Sequence, residues 1–260
     1  MKDIQQRLKT IQTEGINISV FNLLSDASKI YPKIAIVAGL TTILLAIIFS
    51  TIASVGLLIY TQDPKVIFTF MTNFDPLFLP IDGLITYTLV TSIGTGISVI
   101  FSAGFIKMAA DAYQDKPIVL GTAFTYLKNK ACLQLFTAHF VITLVFTVLS
   151  LYLQMENLQY VALAINWIVS SLTVLVTPLI IFGNLSAFDA IKHSVNIVNK
   201  QPFQIIALLL FGSLLAGAGL LLFIVGVIFT LPFIYCVYFM LYQTTIGYIE
   251  EKEEQEQEQE

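Results

Sequence analysis

Six apolar stretches limit what this chain can fold into. They run approximately over residues 34–60, 84–110, 131–153, 160–183, 203–225 and 228–247. A helix crosses the hydrocarbon of a bilayer in roughly 20 residues, at about 1.5 Å per residue. Each stretch is long enough, and charges are almost absent from all six. Composition agrees: the chain is 57% hydrophobic and 12% charged, whereas a soluble domain carries about 25% charged residues. Water cannot cover that much apolar surface, so the bilayer is the expected solvent. The expected fold class is all-α, a polytopic membrane helical bundle of six transmembrane helices.

The polar segments before the first, third and fifth spans read as short amphipathic helices. In the first, Val20, Leu24, Ala27 and Tyr31 recur at helical spacing, opposite Asn22, Asp26 and Lys29. Ser19 is its expected cap, and Pro32 with Lys33 its expected end. In the second, Leu120, Phe124 and Leu127 form the apolar stripe, Thr122, Thr125 and Lys128 face away, and Lys130 closes the helix. In the third, Ser186 caps the start, with Asp189 three residues on. There Phe188, Ile191, Val195 and Val198 line one face; Asp189, Lys192, His193, Asn196 and Lys200 line the other. Residues 21–33 align with 188–200 through Phe, Ile and a terminal Lys. The order of surface helix, basic residue and two spans recurs three times, which predicts three structural repeats. Three parts follow: a polar N-terminal segment (1–33), its first residues loose; a six-span domain (34–248), with a turn at Gly226 between the last two spans; and an acidic tail (249–260) expected to be disordered.

Lysine and arginine placement sets the expected topology. Of 13 such residues, all but Lys65 lie in the N-terminal segment, between the units, or in the tail. With six spans these share one face, expected to be cytoplasmic, with both termini inside. No apolar core lies close to the start, so a cleaved leader is not expected. Lys29, Lys33, Lys128, Lys130, Lys192 and Lys200 are candidate contacts to anionic lipid head groups, each worth about 1 kcal/mol near the surface. The net charge of −4 arises largely from seven glutamates in residues 250–260. It points to no nucleic-acid partner.

Residues able to do chemistry are few. Cys132 and Cys236 lie apart within spans and form no CxxC pair. No metalloprotease, phosphate-loop or nucleophile-elbow motif is present, so neither a cofactor nor an enzymatic activity is expected. His139 is the ionisable side chain deepest within a span. It reads either as a neutral hydrogen-bonding residue or as a proton or ligand site. Two polar stripes are more informative. Thr88, Thr91, Thr95, Ser98 and Ser102 follow helical spacing along span two. Asn166, Ser170, Thr173 and Thr177 do so along span four. They suit close helix packing, or alternatively a polar pathway for a small or amphipathic molecule. Pro178 and Pro232 are expected to kink spans four and six.

The segment PLIIFGNLSAFDAIKHSVNIVNKQPFQIIALLLFGSLLAGAG, followed by GVIFTLPFIYCVYFMLY, resembles a bacterial family. Its members are multi-span proteins related to the membrane domain of glycerophosphoryl diester phosphodiesterases. The resemblance rests on Ala190, Ile191, Lys192, Ser194, Ile197, Val198, Lys200 and Pro232, and extends over about residues 85–248. It implies the membrane part of such a protein without its soluble enzyme, and transfers no functional residue. The expected role is therefore non-enzymatic, in envelope maintenance or as a scaffold for a protein partner or homo-oligomer. The alternative is a transporter or channel-like protein using the two stripes.

Overall fold

The computed structural model describes residues 6–247 except 9, 12, 14, 64, 66, 67, 69–71 and 73, and only the backbone of residues 60 and 222–225. The acidic tail expected to be disordered lies outside the described residues. Among the described residues the fold is helical, with no strand. The elements are α1 (Val20–Thr61), α2 (Ile81–Tyr113), α3 (Ala131–Met155), α4 (Gln159–Leu172), α5 (Val176–Ile181), α6 (Ala187–Val198), α7 (Pro202–Gly217), α8 (Phe223–Thr230) and α9 (Phe233–Thr245). Short 3-10 segments occupy Pro76–Phe78, Leu120–Lys128 and Ala218–Leu222. Six stretches are long and apolar enough to cross a membrane: Val20–Ile59, Ile81–Tyr113, Ala131–Met155, Gln159–Ile181, Pro202–Leu221 and Gly226–Thr245. The chain is an all-α polytopic membrane helical bundle.

The three expected surface helices take three different forms. The first does not end at Pro32: it continues into span one as a single helix, α1, with Pro32 inside it. The reason is a buried face that runs straight through the proline. Ala27, Ile30, Ile34, Ala38, Thr41 and Leu45 are all buried, at helical spacing. Its 42 residues would reach about 63 Å, twice the hydrocarbon thickness, so the helix projects well past the bilayer. The second segment is a 3-10 helix, with three residues per turn. That pitch turns Thr122, Ala123 and Tyr126 inward and leaves Leu120 and Leu127 exposed; Phe124 of the expected stripe packs toward the core, and Thr125 and Lys128 face away as expected.

The third segment, α6, is an α-helix capped by Ser186, whose Oγ accepts from the Asp189 N–H at 3.3 Å. Its buried side is Ala187, Ala190, Ser194, Ile197 and Val198. The expected face is rotated, leaving Phe188 exposed, because small residues allow α6 to approach the bundle more closely than Phe188 would. Between spans five and six the chain turns at Ala218–Leu222; Gly226 lies within α8 instead of at the turn. There Gly219 packs against the Gly226 backbone with no room for a Cβ. The N-terminal segment is not loose throughout either. Leu8, Ile11 and Ile18 are buried, and the Arg7 Nε donates to the Thr245 carbonyl at 3.3 Å.

The packed core sits toward the lysine-rich end of the bundle. Ile34, Ile106, Met108, Leu135, Leu175, Leu179, Phe239 and Tyr242 are fully buried there. Lys33 ties α1 to the end of α2, pairing with Asp115 and donating to the Ala112 carbonyl at 3.2 Å. α9 is the central helix at this end; it packs against α1, α2 and α7. Tyr31 meets Phe233 edge-on at 5.5 Å, and Phe105 stacks on Tyr235 at 5.0 Å. Toward the other end, Ile52 and Ile59 of α1, Ile85 and Val90 of α2, and Tyr160 and Leu163 of α4 are exposed. That half presents its apolar side chains to lipid.

Helix contacts are closest where glycine removes a side chain. Gly104 of α2 lies directly against the Ala123 backbone, and Gly96 against the Phe136 ring of α3. Gly94, on another side of α2, has open space around it. Gly104→Ala is therefore expected to destabilise the detergent-solubilised protein by about 1–3 kcal/mol, the cost of forcing a methyl into a filled contact. Gly94→Ala should be neutral or slightly stabilising. Unfolding monitored by circular dichroism distinguishes the two.

Candidate functional site

The site is built around a break in span four. Pro178 has no N–H to donate, and its ring collides with the carbonyl of the residue four before it. The helix accordingly stops at Leu172 and resumes at Val176. A break of this kind inside a membrane leaves backbone groups that need partners. Ser194, completely buried on α6, supplies them. Its Oγ donates to the Leu172 carbonyl at 2.6 Å and lies 3.3 Å from the Leu175 N–H as acceptor. Gln134 of α3 holds α6 in place, its Oε1 accepting from the Ala187 N–H at 2.8 Å.

Span six is broken in the same way. α8 ends at Thr230 and α9 begins at Phe233, with Pro232 between them. Here the Tyr31 hydroxyl of α1 donates to the Phe229 carbonyl at 2.6 Å. Both spans contain the proline singled out in the sequence. Both breaks receive a hydroxyl from a different helix.

Beside the break in span four lies a cavity of about 380 Å³. α2 contributes Val99, Ser102 and Ile106; α3 contributes His139, Ile142, Thr143 and Phe146. α4, α5 and the break contribute Asn166, Val169, Ser170, Thr173, Val174 and Thr177; α9 contributes Ile234, Tyr235 and Tyr238. His139 Nε2 and Thr177 Oγ1 are hydrogen-bonded at 3.0 Å, which ties α3 to the start of α5. Ser102 Oγ and the Tyr235 hydroxyl lie 3.3 Å apart, joining α2 to α9. Ser170 donates to Asn166 Oδ1 at 3.2 Å, and Thr173 to the Val169 carbonyl at 2.8 Å. Asn166 and Ser170 are exposed and form the open side. No lysine, arginine, aspartate or glutamate lines the cavity.

The whole span-four stripe therefore lines one cavity, together with His139 and with Ser102 from span two. The rest of the span-two stripe does not reach it. Thr88 is buried but donates to its own Leu84 carbonyl at 2.8 Å. Thr91 and Thr95 are half-buried and Ser98 is exposed. The inward line of α2 runs one residue away, through Ser92, Gly96 and Val99. Ser194, Thr143, Tyr235 and Tyr238 belong to the site but are not singled out as such by sequence reasoning. Tyrosines in an apolar span carry no signal of a shared cavity, and nothing in the sequence shows that the Ser194 hydroxyl turns inward.

Of the candidate lipid-contacting lysines, Lys29 pairs with Asp26 at 2.6 Å and Lys33 with Asp115. Lys128, Lys130, Lys192 and Lys200 are exposed. His193, half-buried on the far side of α6, is held below its ordinary pKa mainly by burial, with Lys192 adding to that effect and Asp189 opposing it. Among the described residues no group of three or more His, Cys, Asp or Glu could hold a metal ion. The chain matches no family model, no curated protein and no solved structure.

Ser194→Ala removes both partners of the break while changing almost no volume. It is expected to cost about 1–2 kcal/mol of stability, the value of a buried hydroxyl whose loss leaves backbone groups bare. Ser98→Ala, at an exposed position, should cost under about 0.5 kcal/mol. Hydrogen exchange read by mass spectrometry should show the Ser194 variant opening around residues 172–176, where the unmodified protein is protected.

Proposed function

We propose that this integral membrane protein binds a small or amphipathic molecule in the cavity at the broken span, and moves it or hands it on without transforming it. The observation that carries this reading is convergence. Ser170, Thr173 and Thr177 of one polar stripe surround the same space as His139 and Ser102, at a proline break in a span. A discontinuous membrane helix is a recurrent place for a binding site, because irregular backbone is tolerated there only when it is paired or lines a cavity. An intramembrane histidine in the same wall adds weight. A scaffold role, the first expectation from the sequence, makes no use of this polar interior.

In the cavity wall the histidine is engaged by Thr177 at 3.0 Å, which suits holding a ligand in place. The resemblance to the phosphodiesterase-linked membrane domains is consistent with a membrane part that serves lipid-related chemistry done elsewhere. Lysine placement supports cytoplasmic termini, with Lys29, Lys33, Lys128, Lys130, Lys192 and Lys200 at the anionic head groups, and the resemblance supports a bacterial cytoplasmic membrane.

Native mass spectrometry of protein released from nanodiscs containing the expression host's lipids tests the reading. A retained molecule is expected, and Thr173→Val combined with Thr177→Val should remove it while the circular dichroism spectrum stays unchanged. A protein that carries nothing in either form would remove the basis for a binding role.

A further inference from the structure

We infer that the ligand is an uncharged amphiphile, with hydroxyl or carbonyl oxygens in its head group, which reaches the cavity sideways from the bilayer. This rests on the reading that the cavity binds a molecule. The lining decides the charge. No lysine, arginine, aspartate or glutamate stands in the wall; its polar side chains are hydroxyls, one carboxamide, and an imidazole already engaged by Thr177. A phosphate or carboxylate would lose its hydration and find no permanent cation in exchange; an ammonium group would find no carboxylate. A neutral head group loses far less hydration and meets donors and acceptors at several heights. The aliphatic share of the wall, Val99, Ile106, Ile142 and Ile234 among it, matches the start of an acyl or prenyl chain.

The opening decides the route. Asn166 and Ser170 form the exposed side of the cavity. They lie about 10 Å and 16 Å along span four from its start at Gln159, which is hydrocarbon depth and not the water surface. Their neighbours Leu163 and Ile168 are exposed apolar residues suited to lipid. Ser170 meets Asn166 Oδ1 at 3.2 Å, but a carboxamide whose N–H groups face acyl chains is still costly. A head group that leaves the bilayer to meet Asn166 relieves that cost, and gives the exposed polar pair a further partner.

The chain carries its own probe. Its single tryptophan, Trp167, follows Asn166 and is 39% exposed. The experiment places the full-length protein in phosphatidylcholine nanodiscs. It titrates in three lipids with identical bromine-labelled chains: a diacylglycerol, a phosphatidate and a trimethylammonium lipid. Bromine quenches a nearby indole. The expected result is saturable quenching by the diacylglycerol at low mole fraction, with the charged lipids quenching only in proportion to their share of the bilayer. Asn166→Leu and Ser170→Ala, both at exposed positions, should each weaken the saturable phase roughly tenfold, the effect of one lost hydrogen bond, with the circular dichroism spectrum unchanged. Saturable quenching by the phosphatidate or the ammonium lipid, lost in the same variants, would overturn the ligand class while leaving the cavity as a binding site. Quenching proportional to mole fraction for all three lipids, with no molecule retained in native mass spectrometry, would overturn the binding reading itself.

Discussion

A helix that breaks inside a bilayer leaves peptide groups that no solvent can satisfy, and much of this structure follows from how two such breaks are closed. Pro178 and Pro232 interrupt spans four and six. A single hydroxyl answers each: Ser194 from α6 and Tyr31 from α1. Each hydroxyl must be presented at a fixed height and angle. That requirement places α6 against the lysine-rich end, with Gln134 holding its first turn. It is also consistent with α1 continuing through Pro32, since Tyr31 beside that proline is held to span six and Lys33 on its other side is held to span two. The two helices that were expected to rest on the surface are thereby anchored in the interior.

The break does more than demand a partner. By ending α4 early and restarting the chain as α5, it turns Thr173 and Thr177 toward α3, where His139 meets Thr177. A straight helix would keep its side chains in one continuous stripe and its backbone fully self-paired. The interrupted one opens a polar space in the middle of an apolar bundle, bounded on the far side by Tyr235 and Tyr238 of the other broken span. The cavity lies beside the residue that cannot donate a hydrogen bond, and its polarity comes from side chains of α2, α3, α4, α5 and α9 that meet there.

The spans could be read from the sequence because length and lack of charge are sufficient to specify a membrane helix; the structural bounds differ from the expected ones mainly at their ends. The proline breaks were legible for the same reason, since proline acts through its own covalent structure. The stripe on span four and His139 were also legible, because polar residues in hydrocarbon have few places to go. Faces of helices were harder. Leu120 and Leu127 point outward because the segment adopts a 3-10 pitch, which period-3.6 reasoning does not anticipate. Phe188 is exposed and Ala190 buried because close approach, not hydrophobicity, sets the docked side of α6. The stripe on span two lies one position away from the buried line of Ser92, Gly96 and Val99, a register decided by Phe136 of a neighbouring helix. Such choices are made between elements, and a single strip of sequence does not contain them.

The uneven distribution of packing has a mechanical consequence. At the lysine-rich end, interlocked aromatic rings, the docked α6 and the Lys33 contacts make a stiff block. Toward the opposite end, α1, α2 and α4 expose much of their apolar surface. Few buried contacts mean a low cost for local rearrangement. When a bilayer thins or thickens, its helices tilt to keep their apolar lengths covered, at fractions of a kcal/mol per Å of mismatch. The compliant half can follow such a change while the stiff block, with the buried turn of span four inside it, holds its shape.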